Sequence, residues 1–132
     1  MPQPKPGLSA TLTQTVTDAM TARYVGSGSV GVFATPQLAL LLEKAAVAAL
    51  QGHLPPEQTS VGTALHIEHL APTPPGMTVT ATATLTAVEG RKLIFRLEAR
   101  DEVEPIARGT HTRFLVNQKT FAQKAKAKRP PA

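Results

Sequence analysis

Glu43 is the first side chain in this sequence whose surroundings suggest chemistry. It lies within an apolar run, and on a helical wheel it shares its side with Ala46 and Val47, away from Lys44. A carboxylate held away from water must find a partner or raise its pKa, and such a group can act as a base or as a nucleophile. The alternative is a glutamate on the flank of a helix that reaches solvent or forms a salt bridge.

His69 and Thr35 are the other two candidates. His69 has the same parity as Val61, Thr63, Leu65 and Ile67 in an alternating segment, so its imidazole is predicted to face the apolar side with them. There it either transfers protons or is a hydrogen-bonded core residue. Thr35 precedes Pro36 and is predicted to cap a helix. Because a helix N-terminus carries free N–H groups and a partial positive charge, it could also polarise a carbonyl group.

A single long helix is predicted to carry Thr35 and Glu43. It runs from Pro36 to about Gln51 and ends at Gly52. Apolar residues recur at helical spacing along one face, which is therefore predicted to be buried: Leu38, Leu41, Leu42, Ala45, Ala46 and Ala49. The helix is predicted to be largely enclosed.

Alternating apolar and polar residues predict strands on both sides of this helix. The predicted strands are residues 8–17, 59–70, 77–88, 93–99 and 106–116. Short turns join the last three, so these should be antiparallel neighbours. One strand, one enclosed helix and four further strands describe an α+β hotdog fold, in which a curled antiparallel sheet of about five strands wraps around one long central helix.

The net charge of +5 comes from the end of the chain. The residues after Asn117 contain no acid but five cations, and the rest of the chain balances nine basic against nine acidic residues. We therefore predict a single domain over residues 1–118 and a flexible basic tail over residues 119–132. The tail is either simply solvated or attracts an anionic ligand.

Missing residue types exclude several classes of function. Without cysteine the chain has no disulfide, no thiolate metal site and no cysteine nucleophile. No apolar run approaches the roughly 20 residues of a membrane span, so we expect a cytoplasmic protein that binds no membrane. His66 and His69 point to opposite sides of a strand, which disfavours a metal site between them. No phosphate-binding glycine loop or nucleic-acid-binding surface is evident either.

Several segments together resemble the fluoroacetyl-CoA thioesterase family. Val32 to Glu43 (VFATPQLALLLE) and Val61 to His69 (VGTALHIEH) are similar to the active-site framework of that family. The Ala71 to Gly76 corner (APTPPG), Val88 to Arg91 and Gly109 to His111 match it as well. The similarity extends over about residues 8–120, and its most specific part is the joint spacing of Thr35, Glu43 and His69.

This resemblance implies an acyl-CoA thioesterase that works as a homodimer or tetramer, with sites at the subunit interface and no cofactor beyond the CoA of its substrate. It assigns catalysis to Thr35, Glu43 and His69, and substrate contacts to Gly62, Phe33 and Arg113. Glu43 would attack the thioester or act as base on a water. His69 would protonate the departing CoA thiolate or activate the water, and Thr35 would orient Glu43 by a hydrogen bond.

The segment before the helix departs from the family. In the fluoroacetate-specific enzyme phenylalanines in this segment cover the acyl group, whereas here Gly26 to Gly31 reads GSGSVG, with no aromatic residue until Phe33. We therefore expect a different or broader range of small acyl groups.

Two alternatives to a thioesterase remain open. One is a hotdog hydratase or dehydratase, which the absence of an Asp/His pair in this loop disfavours. The other is a non-catalytic acyl-CoA-binding domain. The hydrolase hypothesis requires the Glu43 carboxylate and the His69 imidazole to open into one cavity.

Overall fold

The computed structural model describes residues 3–131, which form five strands and three α-helices. The strands are β1 (Ser9–Thr15), β2 (Gln58–His69), β3 (Thr78–Glu89), β4 (Lys92–Arg100) and β5 (Pro105–Asn117). The helices are α1 (Ala22–Val25), α2 (Thr35–Leu50) and α3 (Gln118–Lys126). The predicted order of one strand, one long helix and four strands is confirmed, whereas α1 and α3 were not predicted.

All five strands belong to one antiparallel sheet in the order β1-β3-β4-β5-β2. Tight turns join β3, β4 and β5, as the sequence predicted. Strand β2 follows α2 and lies beyond β5, so it forms the far edge of the sheet. Helix α2 packs mainly against β3 and β1, in the half of the sheet that lies away from β2. The helix therefore lies across the sheet while β2 keeps one edge unpaired.

Strict alternation on β3 separates the core from the outer face. The odd-numbered residues Val79 to Leu85 are buried, and threonines occupy the outer face. Three of these threonines form hydrogen bonds with hydroxyl groups of β1. Across the core, α2 buries the face that the sequence predicted: Leu38, Leu41, Leu42, Ala45, Ala46 and Ala49, together with Leu50.

The predicted helix cap at Thr35 is wrong. Thr35 is the first residue of α2, Ala34 takes the cap position, and no side chain caps the helix. The hydroxyl of Thr35 is instead hydrogen-bonded to the ring of His69. The threonine at this position therefore serves a contact between α2 and β2 rather than the helix terminus.

A bulge in β2 changes which residues share a face. Gly62 lies opposite Arg113 of β5, but Ala64 lies opposite Thr112, so Thr63 is an extra residue in the strand. The prediction that Val61 and Thr63 share the face of His69 is therefore wrong. Gly62 instead lies on the inner face together with Leu65 and His69, because the extra residue shifts the alternation by one.

The C-terminal segment is partly helical. Asn117 caps α3 through its side-chain oxygen, which accepts a hydrogen bond from the N–H of Thr120. Gln118 N–H also donates to the carbonyl of Glu57, which fixes the start of α3 beside the start of β2. Every residue of α3 is exposed. Among residues 3–131, no helix combines the length and apolar character needed to cross a membrane.

Candidate active site

The first half of the candidate site is a Thr35–His69 pair where α2 begins and β2 ends. Thr35 Oγ1 lies 2.7 Å from His69 Nδ1. Within residues 3–131, the other ring nitrogen, Nε2, is buried and has no hydrogen-bond partner. The pair borders an open cavity of about 300 Å³ that is also lined by Val32, Leu70, Ala71 and Pro72. A half-buried imidazole with one free nitrogen beside a cavity can exchange a proton with a bound group.

Burial controls the protonation of this imidazole. It lowers the pKa of His69 below the ordinary value of 6.5, against an opposing contribution from the Ala71 backbone. The ring is therefore neutral at physiological pH. Whichever way the hydrogen bond to Thr35 runs, Nε2 remains the atom available for proton transfer.

The second half of the candidate site surrounds Gly62, and we call Glu43, Gly62, His111 and Arg113 the Gly62 cluster. A Cβ atom placed on Gly62 would lie 3.1 Å from His111 Cε1, 3.3 Å from Arg113 Nη1 and 3.7 Å from Glu43 Oε2. The half-buried Glu43 carboxylate thus meets an imidazole and a guanidinium at the one residue of β2 that has no side chain. Gly62 is needed here for space.

Arg113 is the most firmly held member of this cluster. Its Nε donates to Ser60 Oγ at 2.8 Å, its Nη2 donates to the Ser60 carbonyl at 3.0 Å, and Nη1 lies 3.2 Å from His111 Nε2. Only 7% of Arg113 is exposed. Burial lowers the pKa of its guanidinium, and the attraction of Glu43 opposes that shift. The side chain therefore presents a cation of fixed position to Glu43.

Within one chain the two halves of the site are far apart. Glu43 follows Thr35 by eight residues, which corresponds to about 12 Å along a helix axis. His69 follows Gly62 by seven residues, which corresponds to about 23 Å along an extended strand. The structure therefore brings Thr35 to His69 and Glu43 to Gly62, but it does not bring Glu43 to Thr35 or to His69. The predicted Thr35–Glu43 hydrogen bond is absent from residues 3–131, because the Thr35 hydroxyl is bound to His69.

The positions of two further residues differ from what the sequence analysis predicted. Phe33 was predicted to contact substrate, but it is only 1% exposed, belongs to the hydrophobic core and does not line the cavity at His69. Its N–H donates to the Thr73 carbonyl, which holds this segment against the core. His111 was missed as a site residue, although the alternation of β5 places it on the same face as Arg113.

Comparison with known proteins settles the family. A sequence model of the family described as fluoroacetyl-CoA-specific thioesterase matches residues 16–119. The chain belongs to this family. It is 46% identical over 99 residues to the fluoroacetyl-CoA thioesterase of Streptantibioticus cattleyicolor, a match that covers 75% of this chain and 71% of the relative.

Solved structures agree with the family. A variant of the fluoroacetyl-CoA-specific thioesterase in complex with fluoroacetate and CoA is 38% identical and superposes with a TM-score of 0.83, covering 89% of this chain and 98% of that one. A hot-dog-like protein from Thermanaerovibrio acidaminovorans, 24% identical, superposes with a TM-score of 0.88 and covers 96% and 94% of the two chains. The hotdog fold predicted from the order of elements is thereby confirmed.

The side chains of this thioesterase family member offer no evident metal site. Among residues 3–131, no three histidine or carboxylate side chains cluster closely enough to hold an ion. The Thr35–His69 pair and the carboxylate of Glu43 are the groups with acid–base or nucleophilic capacity that the sequence analysis named. Together they supply a proton-transfer group and a base or nucleophile, which is what thioester hydrolysis requires.

Proposed function

We propose that this chain hydrolyses small acyl-CoA thioesters to the free acid and CoA, in a homodimer whose site joins Glu43 of one copy to the Thr35–His69 pair of the other. Family membership supports the reaction, and a related enzyme has been solved with fluoroacetate and CoA bound. The observation that carries the shared site is that Glu43 lies beside Gly62 in the first half of β2, whereas His69 is the last residue of that strand, whose outer edge is unpaired. A cytoplasmic location, and a dimer or tetramer as the working assembly, are part of the same proposal.

The edge formed by β2 supports pairing with a second copy. This strand has 12 residues, ends the sheet, and is exposed over residues 62–66. A long uncovered edge is a template for another strand. On α2, Leu40 and Val47 flank Glu43 at helical spacing and are 47% and 50% exposed. A second copy would cover this apolar surface and the strand edge together.

Two-fold symmetry explains how the halves of the site can meet. Two copies of β2 related by a two-fold axis perpendicular to the sheet pair in antiparallel fashion. The C-terminal half of one strand, which holds His69, then lies beside the N-terminal half of the other, which holds Gly62. Glu43 of each copy therefore faces the Thr35–His69 pair of its partner, and the dimer contains two identical sites.

The reaction follows from the groups in this shared site. The thioester carbonyl would lie near the start of α2, whose free N–H groups polarise it. Glu43 either attacks the carbonyl carbon, so that the C–S bond breaks and an acyl anhydride forms for water to hydrolyse, or removes a proton from an attacking water. His69 Nε2 delivers the proton to the departing CoA thiolate or activates the water. Thr35 positions the imidazole, and Arg113 contacts the acyl end.

The acyl group is proposed to be small but not specifically fluorinated. Residues 25–30 are exposed and include no aromatic residue. Nothing in this segment therefore offers the rigid aromatic cover that would favour one acyl group. We expect similar kcat/KM for acetyl-CoA and fluoroacetyl-CoA.

Release of free thiol from a panel of acyl-CoA substrates tests the reaction. Acetyl-, propionyl-, butyryl- and fluoroacetyl-CoA should release thiol, with kcat/KM for the acetyl and fluoroacetyl substrates within about tenfold of each other. Loss of enoyl absorbance from crotonyl-CoA without thiol would indicate a hydratase instead. Binding of acyl-CoA without thiol from any substrate would indicate a non-catalytic domain.

Mixing two inactive variants tests the shared site. Glu43→Ala and His69→Ala should each lower kcat by about 10²–10⁴-fold. When the two are unfolded and refolded together, each heterodimer has one site with both groups intact, so about a quarter of the wild-type activity should return. Glu68→Ala and His66→Ala, on the outer face of β2, are matched controls that should stay active. A site built within one chain predicts no recovery on mixing.

A further inference from the structure

We infer that His111, as a neutral imidazole with its proton on Nδ1, is the positioning residue that holds Arg113 at the acyl end of the site. This inference rests on the proposed function. His111 is buried, lies on β5 two residues before Arg113 and is not part of the chemistry described above. Its two ring nitrogens contact two different partners, and these partners fix its protonation state.

The hydrogen bonds of His111 allow only one tautomer. Nδ1 lies 2.8 Å from the carbonyl oxygen of Ala64. Because a carbonyl oxygen only accepts, Nδ1 must carry a proton. Nε2 lies 3.2 Å from Arg113 Nη1, and a guanidinium only donates. Nε2 must therefore offer its lone pair, which leaves the ring neutral.

The same contacts make Arg113 rigid. His111 fixes one Nη atom, and Ser60 fixes Nε and the other Nη atom through its hydroxyl and its carbonyl. His111 itself cannot move easily, because it is 2% exposed and packs against the ring of Phe95 on β4, with ring centroids 6.2 Å apart. The guanidinium is thus held from three sides toward Gly62 and Glu43. A preorganised cation binds a polar acyl group at a lower entropic cost than a mobile one.

Protonation of His111 would break this arrangement. A proton on Nε2 would point at an N–H of Arg113 and place two positive charges side by side. The other groups that face the imidazole are Glu43 from α2, the Ala64 backbone from β2 and the uncharged Phe95 from β4. Burial lowers the pKa of His111 below 6.5, the Ala64 hydrogen bond opposes this, Arg113 lowers it further and Glu43 opposes it. The contact therefore holds at neutral pH and is lost under acidic conditions.

The dependence of KM on pH tests the inference with acetyl-CoA as the probe. Wild-type KM should rise as the pH falls below 6.5 and through the lowered pKa of His111. His111→Gln keeps one donor and one acceptor but does not titrate, so its KM should lack the part of this acid rise that His111 causes. His111→Leu should raise KM roughly tenfold at every pH, with a smaller change in kcat. His69 titrates in all three proteins, so its effect cancels in the comparison, and the exposed His66→Gln should retain the wild-type profile.

Nitrogen NMR of the wild-type imidazole tests the tautomer without any activity measurement. The spectrum should show His111 protonated at Nδ1 at neutral pH. A ring protonated at Nε2, a parental KM in His111→Leu, or an unchanged acid rise of KM in His111→Gln would each overturn the inference. If His111→Leu fails to fold, the NMR spectrum and His111→Gln still decide. Absence of thiol release from the wild type would refute the proposed function alone.

Discussion

Gly62 is a residue of the candidate site at which there is little room for a side chain. Its neighbours are not free to move aside, since His111 is tied to the Ala64 carbonyl and Arg113 to Ser60. A methyl group at 3.1 Å from His111 Cε1 would require a shift of a few tenths of an ångström in one of them. A side chain at position 62 would therefore misalign His111 or Arg113 without straining the backbone of β2.

The substitution Gly62→Ala should lower kcat/KM roughly tenfold while the protein remains folded, because a misplaced contact of this kind costs on the order of 1 kcal/mol. Steady-state hydrolysis of acetyl-CoA and the unfolding midpoint in urea would be measured together. Gly28→Ala is the matched control, since a Cβ there meets only Ala22 Cβ at an ordinary 3.5 Å. Full activity in Gly62→Ala would show that the Gly62 cluster does not contact the substrate.

At the residue scale, the sequence singled out candidate side chains, but it did not predict which of them lie in contact. Helical and strand parity singled out Glu43 and His69, but the partner of Thr35 was wrong. A hydrogen bond between α2 and β2 depends on how far each element slides along the other, which periodicity does not specify. His111 could have been predicted as a neighbour of Arg113, because alternation along β5 places both residues on the inner face.

At the scale of elements, the strands and α2 were predictable because their apolar periods are regular. The bulge at Thr63 was not, since one extra residue leaves the apolar pattern of β2 almost unchanged while reversing the face of everything before it. This reversal is what places Gly62 and Ser60 on the inner face. The site therefore depends on an irregularity that a strict count of alternation overlooks.

A second feature at this scale links two loops beneath the start of α2. Asp101, at the end of β4, accepts hydrogen bonds from the N–H groups of Val103 and Glu104 and from the hydroxyl of Thr73. Thr73 is fully buried and its carbonyl receives the N–H of Phe33. The proline-rich corner before β3 is thereby tied both to the β4–β5 turn and to the segment that enters α2.

Replacement of Asp101 by Asn should lower the free energy of unfolding by about 1–3 kcal/mol at neutral pH, because buried donors lose a charged acceptor. Burial raises the pKa of this carboxyl, but the hydrogen bonds from Val103, Glu104 and Thr73 and the nearby Arg100 outweigh it and hold the pKa below 3.8. The stabilisation is therefore present above about pH 4 and lost as the pH falls through the lowered pKa.

Urea unfolding at about pH 7 and about pH 3 measures this effect. The difference between Asp101→Asn and the wild type should shrink at the lower pH, because this carboxyl takes up a proton in the unfolded wild-type chain. Glu104→Gln, exposed in the same turn, is the control and should change little at either pH. An equal deficit at both pH values would show that the charge of Asp101 does not stabilise the loops.

At the scale of the whole molecule, residue patterns predicted the fold, whereas the proposed dimer came only from the family resemblance. A core of Ala, Val and Leu fixes the packing of α2 on the sheet, so the architecture follows from one chain. The relation between Glu43 and His69 does not, because the proposed pairing of β2 edges depends on surface that one chain leaves uncovered. The exposed apolar residues Leu40, Val47 and Leu65 form part of this uncovered surface.

Opposite charges at Ala64 offer the most direct test of this assembly. Ala64 is exposed at the centre of residues 62–66, so two-fold pairing of β2 would bring both copies of this residue close together. Ala64→Asp and Ala64→Lys should each weaken the dimer by like-charge repulsion and lose most thiol release, whereas a mixture of the two should regain both. Analytical ultracentrifugation and hydrolysis of acetyl-CoA would follow the two effects.

Val103→Asp is the matched control, because Val103 is 72% exposed in the β4–β5 turn, and this variant should remain dimeric and active. If either charged variant alone is a fully active dimer, the copies do not pair through this edge, and Glu43 must reach His69 by some other arrangement of the subunits.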